Sequence, residues 1–193
     1  MNRRNWLQWF GGVLLTLAAT STPAAGLPSD SVYQLDVALT DQDGGALRFP
    51  ALAGTPRVVT MFYANCPYVC PMIVDTLKRT ERALDAPARA RFRVLMLTLD
   101  PERDTPAALK AVADERKLDT ARYTLARSSP RDVRKIAALL GIQYRQLENR
   151  DFNHSSALIL LDAQGRVLAR SSVIGAADPE FVAAVQAALG VAQ

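Results

Sequence analysis

The residues Arg57-Val-Val-Thr-Met-Phe-Tyr63 form a compact apolar run that ends in Asn65-Cys66-Pro67-Tyr68-Val69-Cys70-Pro71. This junction limits the possible folds more than any other stretch. A run of that length, bounded by Pro56 on one side and a Cys/Pro cluster on the other, suits a strand buried on both faces. Pro71–Leu84 behind it reads as a helix. The cysteines therefore sit where a buried strand turns into a helix, spaced i, i+4. If the turn continues as helix, both sulfurs point to one side, about one turn apart. The unpaired N–H groups and dipole of a helix N-terminus stabilise negative charge, so a thiolate there is expected to have a lowered pKa.

Two chemistries follow from such a pair. Thiolates are soft ligands and select Cu(I), Zn or Fe–S over hard cations. The same pair can close as a disulfide in an oxidising compartment. As a purely stabilising bridge it would gain little, because the loop it closes is small. The spacing is one residue wider than a two-residue redox gap and suits a metal chelate at least as well.

The single histidine, His154, lies in the polar loop Asp151-Phe152-Asn153-His154-Ser155-Ser156, ahead of a predicted strand at 157–161. A lone histidine can be merely packed or exposed. Beside two thiolates, which hold Cu(I) linearly, one imidazole makes a three-donor site open to exchange and able to hold Cu(II) as well. Asp100, at the end of the predicted strand Phe92–Leu99, is expected near the cysteine turn, where a carboxylate can tune thiol protonation or orient a ligand. Met72, two residues past Cys70, is expected to pack in the core.

Composition narrows the alternatives. Of 193 residues, 49% are hydrophobic and 22% charged, as in an ordinary globular domain. Two cysteines exclude a disulfide-dense scaffold, and one histidine excludes a His-rich zinc cage or an H-E-x-x-H motif. Neither G-x-x-x-x-G-K-[ST] nor G-x-G-x-x-G occurs, so a nucleotide-phosphate cradle has no support.

Residues 1–26 read as a signal peptide. Arg3 and Arg4 precede an apolar stretch from about Trp6 to Ala19, followed by the small, polar run Thr20–Gly26. The stretch is shorter than the ~20 residues a spanning helix needs, and an uncleaved anchor in the inner membrane is the alternative. The paired arginines also resemble a twin-arginine signal. Export places the mature chain in the periplasm. Its removal leaves 21 basic and 19 acidic side chains, a net +2 that gives no case for nucleic-acid binding. The basic run Arg89–Arg93 alternates as a strand entry would.

Residues 27–193 read as one domain. Tyr33–Leu39 and Ala46–Phe49 form a hairpin about Asp41–Gly45. The strand Arg57–Tyr63, helix Pro71–Leu84 and strand Phe92–Leu99 follow. Helices then run from Asp104-Thr105-Pro106 to about Lys117 and over Pro130–Leu140, capped by the residues that open them. Gln143–Leu147 is a short strand. Ala157–Leu161 and Arg166–Arg170 make a second hairpin, and Asp178-Pro179 opens a last helix to about Leu189. Strand–helix–strand units imply parallel crossovers, and the late hairpin adds antiparallel strands. The expected fold is α/β: a thioredoxin-like three-layer α/β/α sandwich with a mixed sheet and an N-terminal β-hairpin.

Cys66-Pro67-x-x-Cys70-Pro71 after an apolar strand, then Asp100-Pro101-Glu102-Arg103-Asp104-Thr105-Pro106, then His154-Ser155 entering a strand, together resemble the Sco/SenC family over residues 30–190. The resemblance implies a thioredoxin-like fold and copper held by Cys66, Cys70 and His154. It also implies a role in assembling the binuclear copper centre of cytochrome c oxidase subunit II, by copper delivery or by reduction of that centre's cysteines. The implied partners are that subunit or another periplasmic copper carrier, and a thiol reductant. The sequence departs from the family where Phe62-Tyr63-Ala64-Asn65 stands for the usual aromatic–Thr–x run, where Tyr68 is bulky between the cysteines and where Asn153 replaces a frequent Asp.

The implied function is therefore a copper-binding chaperone rather than an enzyme in turnover. The alternative is a thiol–disulfide oxidoreductase in which Cys66 attacks and Cys70 resolves. A thiol peroxidase on the same fold and a catalytic zinc site are further readings of the same residues.

Overall fold

The computed structural model describes residues 26–66 and 69–190. The expected signal segment, apart from Gly26, lies outside them, as do Pro67 and Tyr68. Among the described residues no helix is long and apolar enough to cross a membrane.

The chain opens with a 3-10 turn at Val32–Gln34 and the hairpin β1 (Ala38–Asp41)–β2 (Ala46–Arg48). Tyr33 belongs to the turn rather than to the strand that the sequence predicts. Its ring packs where a Cβ on Gly165 would lie 2.5 Å away, and Gly165 itself sits at φ +82°. Then come β3 (Arg57–Phe62), α1 (Val69–Ala83), α2 (Ala86–Arg91) and β4 (Val94–Thr98). After them lie α3 (Pro106–Glu115), β5 (Tyr123–Arg127) and α4 (Pro130–Leu139). The ribbon β6 (Tyr144–Gln146)–β7 (Phe152–His154), the hairpin β8 (Leu158–Leu161)–β9 (Val167–Ser171) and α5 (Pro179–Gly190) complete the order.

Seven strands form one mixed sheet in the order β2-β1-β5-β4-β3-β8-β9. β3, β4 and β5 run parallel, and β8 returns antiparallel to β3. Alternate side chains of the central strands feed two cores. Val58, Phe62, Val94, Met96, Leu158 and Leu160 face the cluster that α1, α3 and α5 cover. Val59, Met61, Leu95, Leu97, Ile159 and Leu161 face the cluster closed by α4 and the N-terminal segment. Helices on both faces of a mixed sheet are the thioredoxin-like plan. Both cores are built from residues lying between Leu27 and Leu189.

Further elements differ from expectation, among them β7, a strand where a polar loop is expected. The basic run at 89–93 ends a helix: Asp85 accepts from the N–H of Ala88 at 2.8 Å and Pro87 sits in the first turn, so the local cap overrides the alternation. β5 is an unforeseen central strand; its alternation is confined to Tyr123 and Leu125 on one face.

A candidate dithiol–imidazole metal centre

The sheet topology brings the two motifs together. β3 ends at Phe62, and the cysteine turn follows at the C-terminal edge of the parallel strands. Because β8 is antiparallel to β3, with Val59 opposite Ile159, its start lies at that same edge. The Thr60 hydroxyl donates to the Ala157 carbonyl at 2.9 Å, tying the strand entry after His154 to β3.

α1 presents Cys70, Ile73, Val74 and Leu77 as one buried stripe at i, i+3, i+4, i+7. Cys70 is thus 5% exposed, and Cys66 9%. The N–H of Cys70 donates to Cys66 Sγ at 3.4 Å, which places the first sulfur over the helix entry. The lowered pKa expected there does not hold for Cys70. Burial pushes its thiol well above the ordinary range, and the neighbouring Cys66 and Asp104 add to the shift against the Tyr63 N–H, which opposes it. The stripe that positions Cys70 also takes it out of water. Met72, two residues on, turns off the stripe and is 44% exposed, so it is not the core residue expected.

His154 ends β7, paired with Tyr144 across the ribbon. Its Nδ1 faces the Ser155 carbonyl at 3.4 Å, which makes Nδ1–H the donor and leaves the Nε2 lone pair for a metal. Burial holds its pKa below the usual 6.5, again favouring the neutral, ligating form. A groove of about 230 Å³ separates it from the cysteine turn, with Cys66 and Tyr63 on one side, Asn153 and His154 on the other, and Val69 and Leu147 at the rim. Among the described residues, no three His, Cys, Asp or Glu side chains already converge closely enough to hold a metal ion. The two cysteines are already in contact through the Cys70 N–H, and His154 shares the lining of one groove with Cys66.

Tyr63 joins the two sides and was not singled out by the sequence. Its ring meets Phe152 edge-on at 5.4 Å and His154 at 6.2 Å between centroids. Its phenol lies against Cys66 and the Phe152 backbone, and burial, with Cys66 adding to it, raises its pKa to about 12. An aromatic residue ending a buried strand just before the cysteines is the signal that could have found it.

The carboxylate at the cysteine turn is Asp104, not Asp100. Asp104 Oδ2 accepts from the N–H of Ala64 at 3.0 Å and from the Thr98 hydroxyl. Thr105 caps α3 by accepting from the N–H of Ala108 at 3.2 Å, which frees Asp104 for this task. Asp100, equally buried, is paired with Arg103 and borders a separate cleft near Tyr144 and Gln146.

Comparison with known proteins places the chain among relatives of the same fold. An SCO2-like protein of Rickettsia conorii is 25% identical over 166 residues, spanning 81% of this chain and 79% of its own. ScoI of Bradyrhizobium japonicum, solved with copper bound, superposes with a TM-score of 0.63 at 22% identity, covering 80% of this chain and 98% of that one. BsSco, described as a member of the Sco family of cytochrome c oxidase assembly proteins and carrying a disulfide switch, gives 0.69 at 21% identity over 82% and 94%. At these identities the two structures establish a shared fold. The SCO1/SenC family model matches residues 28–189, and the chain belongs to that family.

Proposed function

We propose that this chain carries copper on Cys66, Cys70 and His154 and serves assembly of the binuclear copper centre of cytochrome c oxidase subunit II. The observation that carries the reading is the dithiol on the entry to α1, with one groove lined by both Cys66 and the His154 imidazole, whose Nδ1 is taken up by the Ser155 carbonyl. The proteins that match it support copper as the cargo, since ScoI was solved with copper bound and BsSco belongs to an oxidase-assembly family. Two thiolates hold Cu(I), and the imidazole adds a donor that suits both Cu(I) and Cu(II). Three donors leave the ion open to an incoming ligand, so cargo passes by ligand exchange. Exported by its N-terminal segment, the chain works in the periplasm, with that segment either removed or kept as an inner-membrane anchor.

A second reading has its own support. With Cys66 Sγ within 3.4 Å of the Cys70 amide, the pair can close as a disulfide, and the dithiol can reduce the cysteines of a client. The readings are compatible, because the reduced pair is the copper-ready state.

An anaerobic Cu(I) competition titration on reduced residues 27–193, beside Cys66→Ser, tests the proposal. One tight equivalent that the variant loses is the expected result. No binding, with a dithiol that still exchanges with a thiol substrate, would leave the reductase reading alone.

A further inference from the structure

We infer that Arg103 is a positioning residue for the third copper ligand: held on Asp100, it fixes the His154 ribbon opposite the cysteine turn. The inference rests on the three-ligand reading proposed above.

The Arg103 guanidinium has two partners on different parts of the molecule. Nε pairs with the carboxylate of Asp100, and Nη2 donates to the main-chain carbonyl of Arg150. Asp100 is a fixed point: it is 4% exposed, it follows the central strand β4, and its N–H donates to the Thr98 hydroxyl at 2.9 Å. Arg150 lies in the turn joining β6 to β7. In that turn the N–H of Arg150 donates to the Leu147 carbonyl at 2.9 Å, and the N–H of Leu147 to the Asp151 carbonyl at 2.8 Å. Arg150 sits at φ +67°, a left-handed conformation that a residue with a Cβ adopts at a cost. The carbonyl of that residue is the one Arg103 holds.

The ribbon is thus seated at two places. Its second strand leans on Tyr63 at Phe152 and at His154, and its tip is held by Arg103. Phe152 pairs with Gln146 next to that turn and His154 follows it by two residues, so freeing the turn loosens the strand that carries the imidazole. A planar guanidinium serves two acceptors at once in a fixed geometry, which a flexible ammonium does not reproduce. This gives Asp100 and Arg103 a role separate from the capping of α3, which Thr105 performs.

The test uses residues 27–193, within which both cores are complete, as parent, Arg103→Lys, His154→Ala and the double variant. Lysine keeps a positive charge beside buried Asp100, so the fold is retained while the fork is lost. Without metal, amide exchange at Leu147 and Arg150 is expected to rise about tenfold in Arg103→Lys, with β3 and α1 unchanged. Cu(II) affinity should fall by about tenfold, the low end for loss of a ligand-orienting contact, with an altered Cu(II) absorption spectrum. Cu(I) should stay on the dithiol, and the double variant should bind Cu(II) no more weakly than His154→Ala.

Unchanged ribbon exchange in Arg103→Lys overturns the inference whatever copper does. A loss that adds to that of His154→Ala overturns the positioning role. If His154→Ala binds Cu(II) as the parent does, the three-ligand reading fails and the inference with it. That failure is distinct from the first, because the ribbon would still loosen in metal-free exchange.

Discussion

The cysteines lie between a strand that is buried almost throughout and the buried face of a helix, whereas the histidine rides on a three-residue strand with one face in water. β3 is buried at every position but its first, and Cys70 belongs to the apolar stripe of α1. In the ribbon, by contrast, no residue of β6 or β7 is fully buried. On the copper-carrier reading proposed above, the difference has a use. Soft donors that define the site need a fixed spacing, and burial supplies it. A donor that must yield to a client's ligand needs a shallow seat, and the ribbon supplies that. Regions with few buried contacts open at low free energy while the core stays closed.

If the two halves are joined chiefly through Tyr63, removing that ring should have the largest effect. Tyr63→Ala takes away a side chain only 3% exposed that touches both halves. A loss of about 3–5 kcal/mol in urea unfolding is expected, as for large-to-small aromatic changes in cores. Tyr63→Phe keeps the ring and should cost about 1 kcal/mol, the worth of one hydrogen bond. If Tyr63→Ala costs no more than Tyr63→Phe, the halves are not coupled through this residue and the comparison fails.

Asp104 tests the rigid half alone. Asp104→Ala leaves the Ala64 N–H and the Thr98 hydroxyl without their acceptor, which should cost about 1–3 kcal/mol. Asp104→Asn keeps an acceptor and should cost less. The pH profile sharpens the point. Burial, with Asp100 adding to it, raises the Asp104 carboxyl above its ordinary 3.8 despite the Thr98 and Ala64 donors. The folded chain then holds this proton more tightly than the unfolded chain. Its contribution is full below the unfolded value and is lost as pH rises through the folded one. Relative to Asp104→Asn, the parent should therefore lose stability as pH climbs from about 3.8, read from urea midpoints at several pH values.

The same contrast decides what the sequence revealed. β3 and β4 were legible because runs buried on both faces are apolar throughout, α1 because a helical stretch follows the Cys/Pro cluster, and both hairpins from their turn residues. The position of His154 at the cysteine edge followed from a strand predicted right behind it. β7 was not legible: three residues, Phe152-Asn153-His154, carry too little alternation to mark a strand, and pairing with β6 alone defines it. Asp100 and Asp104 are equivalent on paper, both close to the end of β4. Only the tertiary structure shows that Arg103 occupies the first, while Thr105 takes over capping and frees the second for Ala64. The lowered thiol pKa expected of Cys70 failed for a similar reason, since the dipole argument is local and the burial that outweighs it is not.

The smallest effect should appear in the half-exposed ribbon and nowhere else. Burial lowers the pKa of His154 below 6.5, against the Ser155 carbonyl, which favours the charged ring. The unfolded or opened ribbon therefore binds the proton more tightly than the seated one. The seat is at full strength above pH 6.5 and weakens as pH falls through the folded value. Amide exchange of Ser155, whose N–H donates to the Gln143 carbonyl at 2.9 Å, should rise between pH 7 and pH 5 once corrected for the intrinsic rate. Amides of β3 should not respond, and His154→Gln should abolish the response while keeping a polar side chain in place. A rise shared by β3 would mean that protonation loosens the whole domain, so that ribbon and core open as one unit. A rise confined to the ribbon would show that the imidazole leaves its seat while the dithiol stays in position, the independence that passing a cargo from one ligand set to another requires.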